Sequence, residues 1–199
     1  MSQQQIFTQQ KFTDEDWSEK VMENIKFEKC TFTGVNFSDS DLVKVVFDRC
    51  VFVSCKFSST VFEGSALLNC NFRFCTMFSA EFLHCKTTGT NFAEIDFATI
   101  SVTGGNWSYC NLRYCDFSGK KLNGIDFTGA DLRNADFSKG VLRECNFTEC
   151  LLSYTNFNGA DIRNNRFTGF DVSTTKLAKA RVDIEFSILA ANMLGAIVE

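Results

Sequence analysis

The sequence predicts a solenoid, a chain wound on itself in one continuous register, and three observations predict it. Every fifth residue from Phe7 to Val182 is large and apolar, with Thr87 as the single departure. No insertion or deletion interrupts that run. Two residues before each large one lies a second column of small or β-branched residues: Ile25, Cys30, Val35, Ser40, Val45, Cys50 and onward. A helix repeats its buried face at about 3.6 residues and a strand at 2, so neither sustains a period of five. A strict internal period marks an array whose units bury their faces against one another.

The array begins imperfectly. Over residues 1–22 the small column holds Gln10, Glu15 and Lys20, so this stretch reads as an atypical N-terminal cap. From there to residue 182 the large and small columns alternate in fixed phase, as a narrow interior demands. All 10 cysteines fall in the small column, where chance would place about a fifth of them. Cysteine there acts as a small apolar side chain. A zinc set of Cys50, Cys55, Cys70 and Cys75 is the competing reading, but the spacing is that of no zinc knuckle. Disulfides do not suit a cytosolic chain. No metal or cofactor is expected.

Units such as "GADLR", "NADFS" and "GIDFT", and the run "DFSGKKLNGIDFTGADLRNADFS" at 116–138, resemble the pentapeptide-repeat family. The resemblance implies an all-β fold, a right-handed quadrilateral parallel β-helix. Each pentad makes one side of a square and four make a coil, so a corner every five residues keeps the same positions inside. At about 4.8 Å per coil, some 8.75 coils give a rod roughly 42 Å long. Residues twenty apart then stack in columns.

One outer column reads Asp96, Asp116, Asp136, and Asp126 adds to the acidity of the same region. Like charges stacked at strand spacing are unfavourable. Two readings stand: the aspartates serve turn hydrogen bonds, with Arg113 and Arg133 neutralising them, or they form an acidic face for a partner. Apolar residues also occupy outward positions at Val43, Val53, Leu68, Phe74, Phe78 and Leu83. They form an interface, or a local distortion tucks them in. His84, the only histidine, has no nucleophile near it in sequence. No phosphate loop, HExxH or serine-triad signature is present, and no enzyme is expected.

After Val182, "DIEFSILAANMLGAIVE" has Asp183 as an N-cap and apolar residues at helical spacing. The segment 183–199 is expected to form a short C-terminal α-helix that caps the last coil, or pairs with a second copy about a two-fold axis. Ile184, Phe186, Ile188, Leu189, Met193, Leu194 and Ile197 would make that dimer interface. The tail "MLGAIVE" resembles that of the quinolone-resistance and MfpA-type members, and the resemblance implies a homodimer. It also implies a DNA mimic that occupies the DNA-binding saddle of DNA gyrase or topoisomerase IV and protects it from fluoroquinolones or peptide toxins. The alternative is a non-catalytic scaffold for an unrelated protein. The net charge of −4 argues against direct nucleic-acid binding. The absence of a basic-then-apolar leader and of any long apolar run predicts a soluble, cytoplasmic protein.

Overall fold

The large residues at five-residue spacing all point into one dry interior. The computed structural model describes residues 4–169 and 171–198. Residues 1–3 of the expected cap and Glu199 of the expected tail lie outside them. The chain forms a right-handed quadrilateral parallel β-helix. The first face pairs strands Gln5–Thr8, Ile25–Glu28, Val46–Asp48 and Ala66–Leu68. The second pairs Lys11–Thr13, Thr31–Thr33, Val51–Val53 and Asn71–Arg73. The third is a line of single bridges, Asp16 to Asn36 to Lys56 to Thr76. The fourth runs from Val21–Glu23 to Ser101–Thr103. Every pairing is parallel and joins residues twenty apart.

This register stacks identical rings. Phe12, Phe32, Phe52, Phe72 and Phe92 lie face to face at 5.0, 4.8, 4.7 and 5.4 Å. Rings on adjacent faces meet edge-on, as Phe47 and Phe52 do at 5.3 Å. Offset-stacked and edge-to-face pairs are the favoured aromatic geometries. In the first coil the core residues Phe7, Trp17 and Met22 are only half-buried.

The small column does more than save space. Its hydroxyls and thiols cap carbonyls of the preceding coil: Thr60 Oγ1 donates to Phe37 O at 2.7 Å, Ser65 Oγ to Leu42 O at 2.7 Å, and Thr155 Oγ1 to Leu132 O at 2.8 Å. Cys50 Sγ and Cys70 Sγ do the same to Phe27 O and Phe47 O, at 3.4 and 3.3 Å. The ten cysteines are free and buried. Burial pushes the Cys85 thiol up to about 11 and the Cys110 thiol up to about 12, which keeps both protonated. Thr87 also points inward. It is fully buried, and its Oγ1 lies 3.3 Å from Asn106 O and 3.4 Å from Cys110 Sγ.

One seam crosses the rod. Bulky Ile95 and Ile100 occupy small-column positions, and Lys120 stands directly above Ile100. There the ladder opens on two faces. Strands Ser101–Thr103 and Lys121–Asn123 do not pair, and Asp96 bridges neither Thr76 nor Asp116. The first and second faces stay closed, through Lys86–Asn106–Asp126 and Asn91–Asn111–Asp131. The Lys120 ammonium spans the opening by donating to Ala98 O and Ile100 O at 2.8 and 3.0 Å. One coil on, Gly140 leaves the column empty above Lys120, and the pairing resumes between Lys121–Asn123 and Val141–Arg143.

At the C-terminal end, helix Ile184–Met193 is capped by Asp183, whose Oδ1 accepts the Phe186 N–H at 2.9 Å. Its other carboxylate oxygen accepts the Asn164 N–H, which ties the helix start to the last coils. Phe186 is buried edge-on against Phe167 at 4.9 Å.

Candidate functional site

The third face carries the acidic column. Asp116 and Asp136 are bridged in register, and Asp136 is bridged to Asn156. Each aspartate performs the same local task. Asp96 Oδ1 accepts the Ala98 N–H at 2.9 Å, Asp116 Oδ1 the Ser118 N–H at 2.8 Å, and Asp136 Oδ1 the Ser138 N–H at 2.7 Å. This is the Asx turn that makes Asp and Asn suitable at a corner. Bonds from Ser138 and then Asn156 hold the Asp136 carboxyl below its ordinary value, although burial works to raise it.

The expected neutralisation by arginine does not occur. Arg133 turns to Asp131 on the second face, with Nη2 to Oδ2 at 2.6 Å. Arg113 lies over the Tyr114 ring, its guanidinium carbon 5.5 Å from the centroid. The reason is reach: two residues separate Arg133 from Asp131 on one side of the square, whereas a corner intervenes before Asp136. Among the described residues no salt bridge involves Asp96, Asp116 or Asp136. The acidic column therefore serves the turns without an arginine partner, while the Lys120 ammonium acts on Asp116 and Asp96 and the Lys176 ammonium on Asp136 from beyond salt-bridge distance.

Asp126 does not belong with the other three. Ten residues are two corners, so it lies on the first face, opposite the column, between Asn106 and Asn146. Its Oδ1 accepts the Thr128 N–H and hydroxyl.

The outward apolar residues likewise scatter. Val43 and Leu83 lie on the fourth face, Val53 on the second and Leu68 on the first, all partly buried. Only Phe74 and Phe78 stand clear, 76% and 64% exposed. They form no patch spanning 43–83.

The helix splits its expected interface in two. Phe186 and Leu189 pack on the coil end and are not free to face a partner. Ile184, Ile188, Met193, Leu194 and Ile197 are exposed. Beside Ile184 an open cleft of about 840 Å³ runs between the helix start and Glu144, Asn164 and Arg166.

His84 sits over Gly104 at the rim of a shallow depression of about 260 Å³, with Lys121 and Asn123. No carboxylate lines it to orient the His84 imidazole against the Thr103 hydroxyl. Among the described residues, no group of His, Cys, Asp or Glu is placed to hold a metal ion, and no helix is long and apolar enough to cross a membrane.

Sequence reasoning overlooked Asp161. It is buried between Arg143 and Arg163, with Nη2 atoms at 2.6 and 2.7 Å. The Arg163 and then the Arg143 guanidinium hold its carboxyl well below the usual carboxylate range. A depressed folded-state value adds stability above the unfolded value of about 3.9, and that stability is lost as the pH falls. Asp161→Asn should therefore lower Tm at pH 7. In thermal melts the gap from the parent should narrow as the pH drops below about 4.

Comparison with known proteins agrees with this architecture. The sequence pattern of pentapeptide repeats matches in 8 copies, over residues 30–65, 55–92, 110–148 and 141–177. A comparison with curated protein sequences finds no match. Among solved structures, the chain is similar to QnrB1, a plasmid-mediated fluoroquinolone resistance protein. The TM-score is 0.65 at 22% identity, over 96% of this chain and 99% of that one. It is also similar to HetL from the cyanobacterium Nostoc sp. strain PCC 7120, a protein involved in heterocyst differentiation regulation. Here the TM-score is 0.62 at 15% identity, over 89% and 87%. At such identities the likeness is one of fold. The repeat pattern and the square coil together make this chain a member of the pentapeptide-repeat family.

Proposed function

We propose that the chain is a non-catalytic, DNA-mimicking rod that binds a type II topoisomerase, DNA gyrase or topoisomerase IV, and protects it from poisons such as fluoroquinolones or peptide toxins. One observation carries this reading: an acidic column on the third face that no arginine neutralises. Asp116 and Asp136, about 4.8 Å apart in register, with Asp96 across the seam, present a short line of negative charge on a narrow rod. The Lys and Arg of a DNA-binding groove would meet it as they meet phosphates. The likeness in fold to QnrB1 adds support. Two copies joined through Ile184, Ile188, Met193, Leu194 and Ile197 would double the length of the rod. Deleting residues 184–199 is then expected to convert a dimer to a monomer in light scattering.

The test uses gyrase and drug-induced DNA cleavage. The chain is expected to reduce cleavage, and Asp116→Asn with Asp136→Asn to weaken that protection by about tenfold or more and flatten its salt dependence. Asparagine keeps the turn bond, so the loss would report charge alone. An intact, folded rod that leaves supercoiling and cleavage unchanged defeats the proposal.

A second reading, a scaffold for an unrelated protein, is favoured by exposed Phe74 and Phe78, which a DNA mimic does not need. HetL shares the fold and is described by a different role. Capture of a partner that is not a topoisomerase, lost with Phe78→Asp, would select it.

A further inference from the structure

The edge between the second and third faces carries three aromatic rings that the fold does not require. Phe74, Tyr114 and Tyr154 sit at successive alternate corners, forty residues apart, with Glu94 and Asn134 between them. Their rings are 76%, 65% and 57% exposed. Each has a left-handed backbone, with φ of 55°, 62° and 63°. Bulky residues adopt that conformation at a cost, and Asn134, in the same conformation on the same edge, does so more readily. Gln9, Glu19 and Lys29 take the same backbone at other corners, so what sets Phe74, Tyr114 and Tyr154 apart is a large exposed ring repeated along one edge, which marks a binding surface. Tyr109 is the contrast, because its ring covers Gly129 on another corner. Phe74, Tyr114 and Tyr154 make no ring–ring contact among the described residues.

The spacing selects the occupant. Two coils separate successive rings by about 9.6 Å. A polyproline II helix repeats every three residues, about 9.3 Å. Same-face residues of a strand recur at about 6.8 Å, and a helical turn at about 5.4 Å; neither is commensurate with the rings. Between the first two rings, Glu94 folds back so that its Oε2 accepts the Phe74 N–H at 3.3 Å. Exposed aromatic side chains are the usual seats for proline rings.

Charge narrows the choice further. Arg73 and Arg113 directly precede Phe74 and Tyr114, and neither forms an ion pair among the described residues. The Arg113 guanidinium carbon lies over the Tyr114 ring, 5.5 Å from its centroid. We propose that this edge binds a proline-rich protein segment in the polyproline II conformation that carries carboxylates in step with its prolines. The prolines lie against Phe74, Tyr114 and Tyr154, and the carboxylates meet Arg73 and Arg113. Single-stranded nucleic acid is the other ligand that stacks on such rings. It carries a charge on every nucleotide, against one per three residues in the peptide, so the adjacent Asp116 and Asp136 oppose it more strongly.

The test is calorimetric titration of the full chain with a blocked peptide of Glu-Pro-Pro repeats. Parallel arms use Glu-Gly-Gly repeats of equal length and charge, and oligo-thymidine. Glu-Pro-Pro is expected to bind and Glu-Gly-Gly to bind at least about tenfold more weakly, since glycine must lose the freedom that proline lacks. Tyr114→Asn with Tyr154→Asn supplies the residue that these corners accept easily, so the fold should persist, as a thermal melt would confirm. It should abolish peptide binding, and Arg113→Ala should remove most of the salt dependence. Absence of Glu-Pro-Pro binding overturns the proposal. So does equal binding of the glycine peptide, tighter binding of oligo-thymidine, or binding unchanged by the double tyrosine substitution.

Discussion

Gly105→Ala is expected to destabilise the fold by roughly 2–6 kcal/mol, the sum of backbone strain and overpacking. Gly105 has φ of +97°, outside the range that L side chains favour. A methyl group there would fall on the carbonyl oxygen of Cys85 and lie 3.0 Å from its nitrogen. Both are backbone atoms of the coil below. They cannot yield, because the Asn106 N–H is bonded to that same carbonyl at 2.9 Å. Gly124→Ala supplies the control. Its φ of +64° is ordinary left-handed backbone with open space around it, so only about 1–2 kcal/mol should be lost. Chemical denaturation of both variants would separate the two cases, and equal losses would refute the steric account.

Phe52→Ala should cost about 3–5 kcal/mol, the usual penalty for emptying a buried aromatic site. The ring lies between Phe32 and Phe72 at 4.8 and 4.7 Å and has Phe47 and Phe57 at its edges, 5.3 and 5.5 Å away. None of these neighbours can close the gap without breaking its own stack. For a chain of this size, Tm should fall by roughly 6–20 °C. Phe7→Ala, in the half-buried first coil, should cost clearly less. Calorimetry gives both values. Hydrogen exchange should place the Phe52→Ala loss in neighbouring coils first, because each repeat contacts only those beside it.

The interior of this protein was legible because its period is unbroken. Each large residue from Phe12 to Val172 is buried, apart from Trp17 and Met22, and Thr87 keeps its place by bonding within the core. The surface was less legible, for two different reasons. The position of Asp126 was available by arithmetic, since ten residues carry the chain across two corners to the opposite face. The choice of Asp131 by Arg133 was not, because it depends on which carboxylate a flexible side chain reaches without rounding a corner. The seam lies between these cases. Lys120 in a column of small residues is written in the sequence. The opening on two faces is not, because Ile125 occupies the same column and its ladder stays closed. For the helix, apolar spacing predicted where it forms, while the use of Phe186 as a plug required the Phe167 ring to be in place beneath it.

The burial of Phe186 over the final coil bears on what that end of the rod offers to other chains. A parallel stack in which every layer resembles the last ends in a row of unmet amides and carbonyls, an open invitation to the next molecule. Left bare, that end would recruit other chains layer upon layer, and growth would stop only when protein ran out. Ten residues of helix laid across it exchange a fibre seed for a finite object.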